Sequence, residues 1–211
     1  MDADIADDVL ICQYEDRFET ALAPEAAAGL VNLARRLMRD PRVDGLAQAA
    51  YILATVKHET DGRFVPVEEA YWLSERWRQR NLPYYPYHGR GYVQITWQAN
   101  YLRAGRTLGI PLEAQPALAL EPQTAYVLLV RGMLEGWYGR PLSDFVTADT
   151  ADFYHARRSV NGLDRAHMIA RYADEFMEIL EDAIQEPPRV PQPTRRNPFL
   201  RLKDWVLTTV L

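Results

Sequence analysis

Apolar positions in residues 25–39, "EAAAGLVNLARRLMR", fall at Leu30, Leu33, Ala34, Leu37 and Met38. That spacing of three and four is the mark of a helix with one buried face. Pro24 stands just before it, where a proline suits a helix start. Residues 44–60 repeat the pattern through Leu46, Ala49, Ala50, Leu53 and Val56, with Asp44 as the expected N-cap and Gly62 as the stop. Glu59 then falls in the last turn. A helix C-terminus disfavours a carboxylate charge, and so does burial among apolar residues, so the position favours the protonated form.

Between residues 63 and 101 helical periodicity weakens and aromatic residues crowd, among them Tyr71, Trp72, Trp77, Tyr84, Tyr92 and Trp97. "NLPYYPYHGRGY" carries prolines and glycines at turn spacing, which predicts irregular structure with short strands and a small hairpin. Helical signal returns after Thr96 and runs to about Leu108. "EPQTAYVLLVRGMLEGWYG" reads as a helix from Pro122 to a stop at Gly139, and residues 150–158 and 163–184 as two more. Residues 187–198, "PPRVPQPTRRNP", read as a stiff extended linker. Beyond it, Phe199, Leu202, Val206 and Val210 share one face of a helical wheel over 199–211. The expected organisation is one mainly α domain over 1–186, a linker over 187–198 and an amphipathic tail over 199–211. That tail is a candidate contact for a membrane or a protein partner.

Composition narrows the function classes. The 211 residues are 48% hydrophobic with a net charge of -5, ordinary for a globular domain and without the basic footprint of a nucleic-acid binder. A lone cysteine, Cys12, excludes a disulfide within the chain and a cysteine metal cluster. His58 and Glu59 do not continue as the zinc-binding His-Glu-x-x-His pattern, because residue 62 is Gly, and the other histidines lack ligand spacing. No metal or cofactor is expected. The opening "MDADIADDVL" lacks the basic and apolar regions of a secretory signal, and no apolar run is long enough to span a bilayer.

Three glutamates suggest chemistry. Cleaving an acetal between sugars takes one carboxyl group that gives a proton to the leaving oxygen and a second that stays ionised. Glu59, at a helix end, suits the acid. Glu68 or Glu69, in a more polar stretch, suits the second role, and if that stretch is extended the two point to opposite faces, so that only one serves a cleft. The plain alternative is that all three are solvated surface.

"GRGYVQITWQANY", residues 89–101, resembles a signature of the family 19 glycoside hydrolases, matching at Gly89-Arg90-Gly91, Gln94, Ile95-Thr96 and Asn100-Tyr101. Upstream, "HET" at 58–60 resembles the family's His-Glu-Thr/Ser. Downstream, "RRSVNGLDR" at 157–165 is similar to its later element around Asn-Gly. The motifs lie in the family's order across residues 45–175. The resemblance implies a lysozyme-like, mainly α (α+β) fold with a small hairpin region. It also implies inverting cleavage of β-1,4-linked N-acetylhexosamine polymers. By the short-loop phage and bacterial members, Glu59 is the acid, Glu68, nine positions on, its partner, and Ser74, six further, a residue that helps hold the water. Gln94, Thr96, Asn100 and Asn161 line the cleft by the same comparison. Tyr92 departs from the small or proline residue that often follows the second glycine. Without the extra loops and disulfides of plant members, the chain looks more like an endolysin acting on peptidoglycan. Chitin is the alternative substrate, and a non-catalytic wall-binding or virion component the alternative class. The expected route is synthesis in a cytoplasm, followed by action at the cell wall or periplasm after release or dedicated secretion.

Overall fold

The computed structural model describes residues 5–185. The proline-rich segment 187–198 and the apolar-faced segment 199–211 lie outside the described residues.

Among the described residues there are seven α-helices: α1 (Asp7–Arg17), α2 (Pro24–Arg39), α3 (Gly45–Glu59), α4 (Glu75–Asn81), α5 (Gln98–Leu108), α6 (Pro122–Leu134) and α7 (Ala166–Gln185). Three short 3-10 helices occupy Pro116–Leu120, Leu142–Asp144 and His155–Ser159. Two strands, β1 (Val67–Glu68) and β2 (Arg90–Gly91), pair antiparallel with Val67 opposite Gly91 and Glu68 opposite Arg90. The mainly α architecture with a small hairpin is thus as the sequence predicts.

Helix α3 is the axis of the core. Residues 47–56 are buried without a break, so this helix has no solvent face along that length. The regular apolar spacing suggested a one-sided helix. The other sides bury Ala47, Gln48, Tyr51, Ile52, Ala54 and Thr55, and α2 and α7 pack close against it. A second, smaller cluster holds Ile95, Tyr101, Ala104, Leu112, Ala119 and Leu128 under the hairpin side of the molecule.

The end of α3 is set by hydrogen bonds. Gly62 N donates to Lys57 O at 2.8 Å and Asp61 N to His58 O at 3.4 Å, with Asp61 and Gly62 both at positive φ. This is the paired pattern that closes a helix with a left-handed residue. Glu59 is therefore the last helical residue, one turn beyond the fully buried stretch.

Two expectations need correction, and two helices were not expected. Residues 150–158 are not an α-helix. Ala151 is spent on an extended bridge to Val146, and Asp152 Oδ1 accepts from the His155 amide at 3.0 Å, leaving only the 3-10 turn His155–Ser159. Helix α6 stops at Leu134, not at Gly139, because Gly136 takes φ 70° and the Trp137 amide closes on Gly132 O at 2.8 Å. Helix α1 carries no strong apolar pattern, burying only Leu10 and Tyr14. It is held by acidic residues in its first turn and by Arg17, which pairs with Glu175 of α7 at 3.2 Å. Helix α4, also unforeseen, starts on the N-cap Ser74 and buries only Arg78.

Gly29, in α2, lies so close to the loop after α3 that an added Cβ would sit 2.4 Å from the Phe64 carbonyl oxygen. Glycine to alanine in a helix ordinarily stabilises by up to about 1 kcal/mol. Here Gly29→Ala is expected to reverse that sign and cost roughly 1–3 kcal/mol, read as a lowered urea midpoint with unchanged m-value.

Candidate active site

The two glutamates in question come from different elements. Glu59 ends α3 and Glu68 lies on β1. Both line one cleft of about 340 Å³, together with Asp61, Arg63, Tyr71 and Gln94. A larger concavity of about 1060 Å³ runs along α2, but its acidic groups, Asp7 and Asp40, are tied to Arg35 and Arg42 at 2.9 and 2.6 Å.

Glu59 is not in a purely apolar setting. Its Oε1 accepts from Arg157 Nη1 at 2.8 Å, and Arg157, almost fully buried, also donates from Nε to Asp164 O at 3.1 Å. The 3-10 turn that replaces the expected helix is what carries Arg157 there. A buried guanidinium compensates a carboxylate charge, so the helix end and the apolar surroundings do not act alone on Glu59. Among the described residues, Oε2 of Glu59 accepts no hydrogen bond.

Glu68 sits in a cationic nest. Arg90 Nε donates to Oε1 at 3.0 Å, His88 Nε2 lies 2.9 Å from the same oxygen, and Arg78 Nη2 is 3.4 Å from Oε2. The arginines are themselves braced. Arg90 Nη1 donates to Pro86 O at 2.8 Å, and Arg78 Nη1 to Ala70 O and Leu73 O at 3.1 and 3.0 Å. Arg90 therefore builds the turn, as its place between two glycines suggests, and also grips the carboxylate. Glu69 takes other partners. The Tyr84 hydroxyl donates to its Oε1 at 2.7 Å and the Gly89 amide to its Oε2 at 2.8 Å. Both of its oxygens are committed to holding the hairpin, although it too borders the cleft.

The remaining predicted residues divide. Gln94 lines the cleft at φ 53°, and its Nε2 donates to Val67 O at 2.9 Å and Gly91 O at 3.2 Å, lacing the turn to β1. Gly89 lets the two pack closely, since a Cβ there would meet Gln94 Oε1 at 2.6 Å and displace that side chain. Thr96 Oγ1 donates to Gln94 O at 2.8 Å, and Asn100 Nδ2 to Thr96 O at 2.8 Å, so both hold backbone. Ser74 accepts from the Trp77 amide at 3.2 Å as the cap of α4. Asn161 is exposed, and its Oδ1 accepts from the Gly162 amide at 2.8 Å. Tyr92, the departure from the motif, is a buried core residue.

The residues that gather these carboxylates were not singled out from sequence. Arg157 and Arg90 lie inside the family-like motifs, but nothing local in the sequence marks them as buried or names their acidic partners. His88 and Arg78 gave no sign either. Among the described residues no group of three or more acidic, histidine or cysteine side chains is arranged to hold a metal ion.

Burial pushes both His88 and His58 below the ordinary 6.5. For His88 the arginines add to the push, while Glu68 opposes it. A neutral His88 donates from Nε2 to Glu68, which leaves its buried Nδ1 without a partner. In the unfolded chain both histidines recover the ordinary value and bind protons first. Stability is thus present above pH 6.5 and is lost as pH falls below it. Urea midpoints measured between pH 7.5 and 5.5 should decline, and His88→Asn should flatten that decline.

No family model matches the chain. An Arabidopsis thaliana endochitinase is 39% identical to it over 83 residues, 37% of this chain and 29% of the relative. Endochitinase EP3 of Arabidopsis thaliana is 33% identical over 90 residues, 39% of this chain and 33% of the relative. The chain thus spans about a third of the length of the curated relatives it matches. Among solved structures, chitinase C from Streptomyces griseus superposes with a TM-score of 0.57 at 24% identity, over 85% of this chain and 96% of that one. A bacterial family 19 chitinase superposes with a TM-score of 0.54 at 22% identity, over 85% and 98%. This chain, mainly α with one two-stranded hairpin, has the lysozyme-like fold of the family 19 chitinases.

Proposed function

We propose that the chain is a glycosidase that cleaves β-1,4 bonds between N-acetylhexosamines by an inverting acid/base mechanism. The observation that carries this reading is the convergence of Glu59 and Glu68, from α3 and β1, on one cleft. The similarity to proteins named as chitinases supports the same chemistry.

In this reading Glu59 is the acid. Arg157 holds its Oε1 and fixes the side chain, and Oε2 carries the proton to the leaving oxygen. The cations around Glu68 fix its carboxylate at the cleft, where it draws a proton from water attacking the far face of the sugar. Gln94, anchored through Nε2, keeps its Oε1 available to orient the substrate or that water. Chitin and peptidoglycan share the linkage. The named relatives favour a chitin-type backbone. A second reading, peptidoglycan, is favoured by an arginine in the cleft wall, Arg63.

Glu59→Gln keeps the shape and removes the proton. It is expected to lower turnover on N-acetylglucosamine oligomers by at least about a hundredfold with the fold retained, and to lower the melting temperature through loss of the Arg157 ion pair. Near-normal turnover in that variant would remove Glu59 from the chemistry. The first product should be the α-anomer, followed by proton NMR immediately after mixing.

The neighbouring glutamates should separate by kinetics. Glu68→Gln is expected to cost roughly a hundredfold or more in kcat, whereas Glu69→Gln should cost mainly stability, because it weakens the Tyr84 and Gly89 contacts. The reverse order would move the second role to Glu69.

A further inference from the structure

Arg63 stands where three hollows meet. It borders the catalytic cleft, a second hollow of about 490 Å³ shared with Glu25, Glu68 and Tyr71, and a third of about 540 Å³ beside His58 and Tyr172. Its guanidinium carbon lies 4.1 Å from the centroid of the Tyr71 ring, and Nη2 donates to the Tyr71 hydroxyl. Three nearby arginines are consumed by carboxylates: Arg157 by Glu59, Arg90 by Glu68, and Arg78 by Glu68 and Glu75. Among the described residues, Arg63 has no carboxylate within ion-pair distance. Among the described residues it is also the only cation in the lining of the cleft, whose charged residues are otherwise Glu59, Asp61, Glu68 and Glu69.

Beside it stand two exposed aromatic rings, Tyr71, which Arg63 covers on one face, and the more open Trp72. Tyr71 is 49% exposed and Trp72 is 71% exposed, with ring centroids 5.1 Å apart at 88°. An indole face open to solvent at the rim of a saccharide cleft is a surface on which a sugar ring can stack. An unpaired guanidinium next to it can take a carboxylate without first breaking a salt bridge.

We propose that Arg63, Tyr71 and Trp72 form a subsite for a sugar that bears a carboxylate, with Trp72 covering the ring and Arg63 pairing with the acid. This rests on the glycosidase reading and deepens it. A plain N-acetylglucosamine residue carries no acid. A muramyl residue carries one on its lactyl ether, or on the peptide attached there. In a cleft with four carboxylates an acidic substrate is repelled unless one fixed cation answers it, and Arg63 is that cation.

The test compares two tetrasaccharides. One is the N-acetylglucosamine tetramer. The other alternates N-acetylglucosamine with N-acetylmuramic acid bearing free lactyl carboxylates. Arg63→Gln is expected to lower the ratio of kcat/KM, acidic over neutral, by about tenfold, with Arg63→Lys falling between, and added salt should shrink the difference. An unchanged ratio, through equal losses on both tetramers or no loss on either, would overturn the subsite. If the wild type cleaves neither tetramer, the glycosidase reading fails and the subsite is judged by calorimetric binding. A preference for the acidic tetramer that Arg63→Gln removes supports it, and no preference overturns it.

Discussion

The burial of α3 is the constraint on which the site depends. A helix surrounded by protein along residues 47–56 cannot present a carboxylate from its middle without stranding a charge in the core. It can present one only where it emerges. The left-handed closure at Asp61 and Gly62 fixes that point and makes Glu59 the terminal residue. The carboxylate is thereby half in the core and half in the cleft, on a base with little freedom to move. Rigid support of this kind is what proton transfer requires, since misplacement by an ångström is costly.

A second constraint is electrostatic. Four acidic side chains around one cleft repel one another, and the fold answers with arginines brought from separate elements. Arg157 arrives from a 3-10 turn, Arg78 from α4 and Arg90 from β2. Each is further anchored to backbone carbonyls, so the cations are fixed before any substrate binds. The two-residue strands look too small to matter. Yet they set Glu68 opposite Arg90, while Gln94 and Glu69 lace the hairpin by side-chain bonds that compensate for its short ladder.

What the sequence reveals follows from what each element buries. Helices α2 and α7 have one apolar face, so their periodicity reads directly, and Glu59 is legible because the apolar run of α3 has a clear end. Helix α4 is invisible to the same method because nearly all of it is exposed and its one buried residue is an arginine. Residues 150–158 mislead for the opposite reason: their composition permits a helix, but the Val146–Ala151 bridge and the Asp152 side chain take the backbone groups first. The carboxylates could be picked out from local pattern and family resemblance. Their partners could not, because Arg157 lies 98 positions from Glu59 and no local rule reports a contact at that distance.

The same accounting separates residues that hold the site from residues left over to meet a ligand. Thr96, Asn100 and Ser74 spend side-chain hydrogen bonds on the backbone and stabilise the walls. Glu69 spends both oxygens on the hairpin. Around the cleft, the groups left uncommitted among the described residues include Oε2 of Glu59, the Asp61 carboxylate, Oε1 of Gln94, the charge of Arg63 and the exposed ring of Trp72. Folding stability does not explain an exposed indole face and a cation without a carboxylate partner at the rim of a cleft, because both would be stabilised by such partners within the chain. Their isolation is understandable if the partner is the substrate, whose binding then supplies the contacts that the fold has withheld.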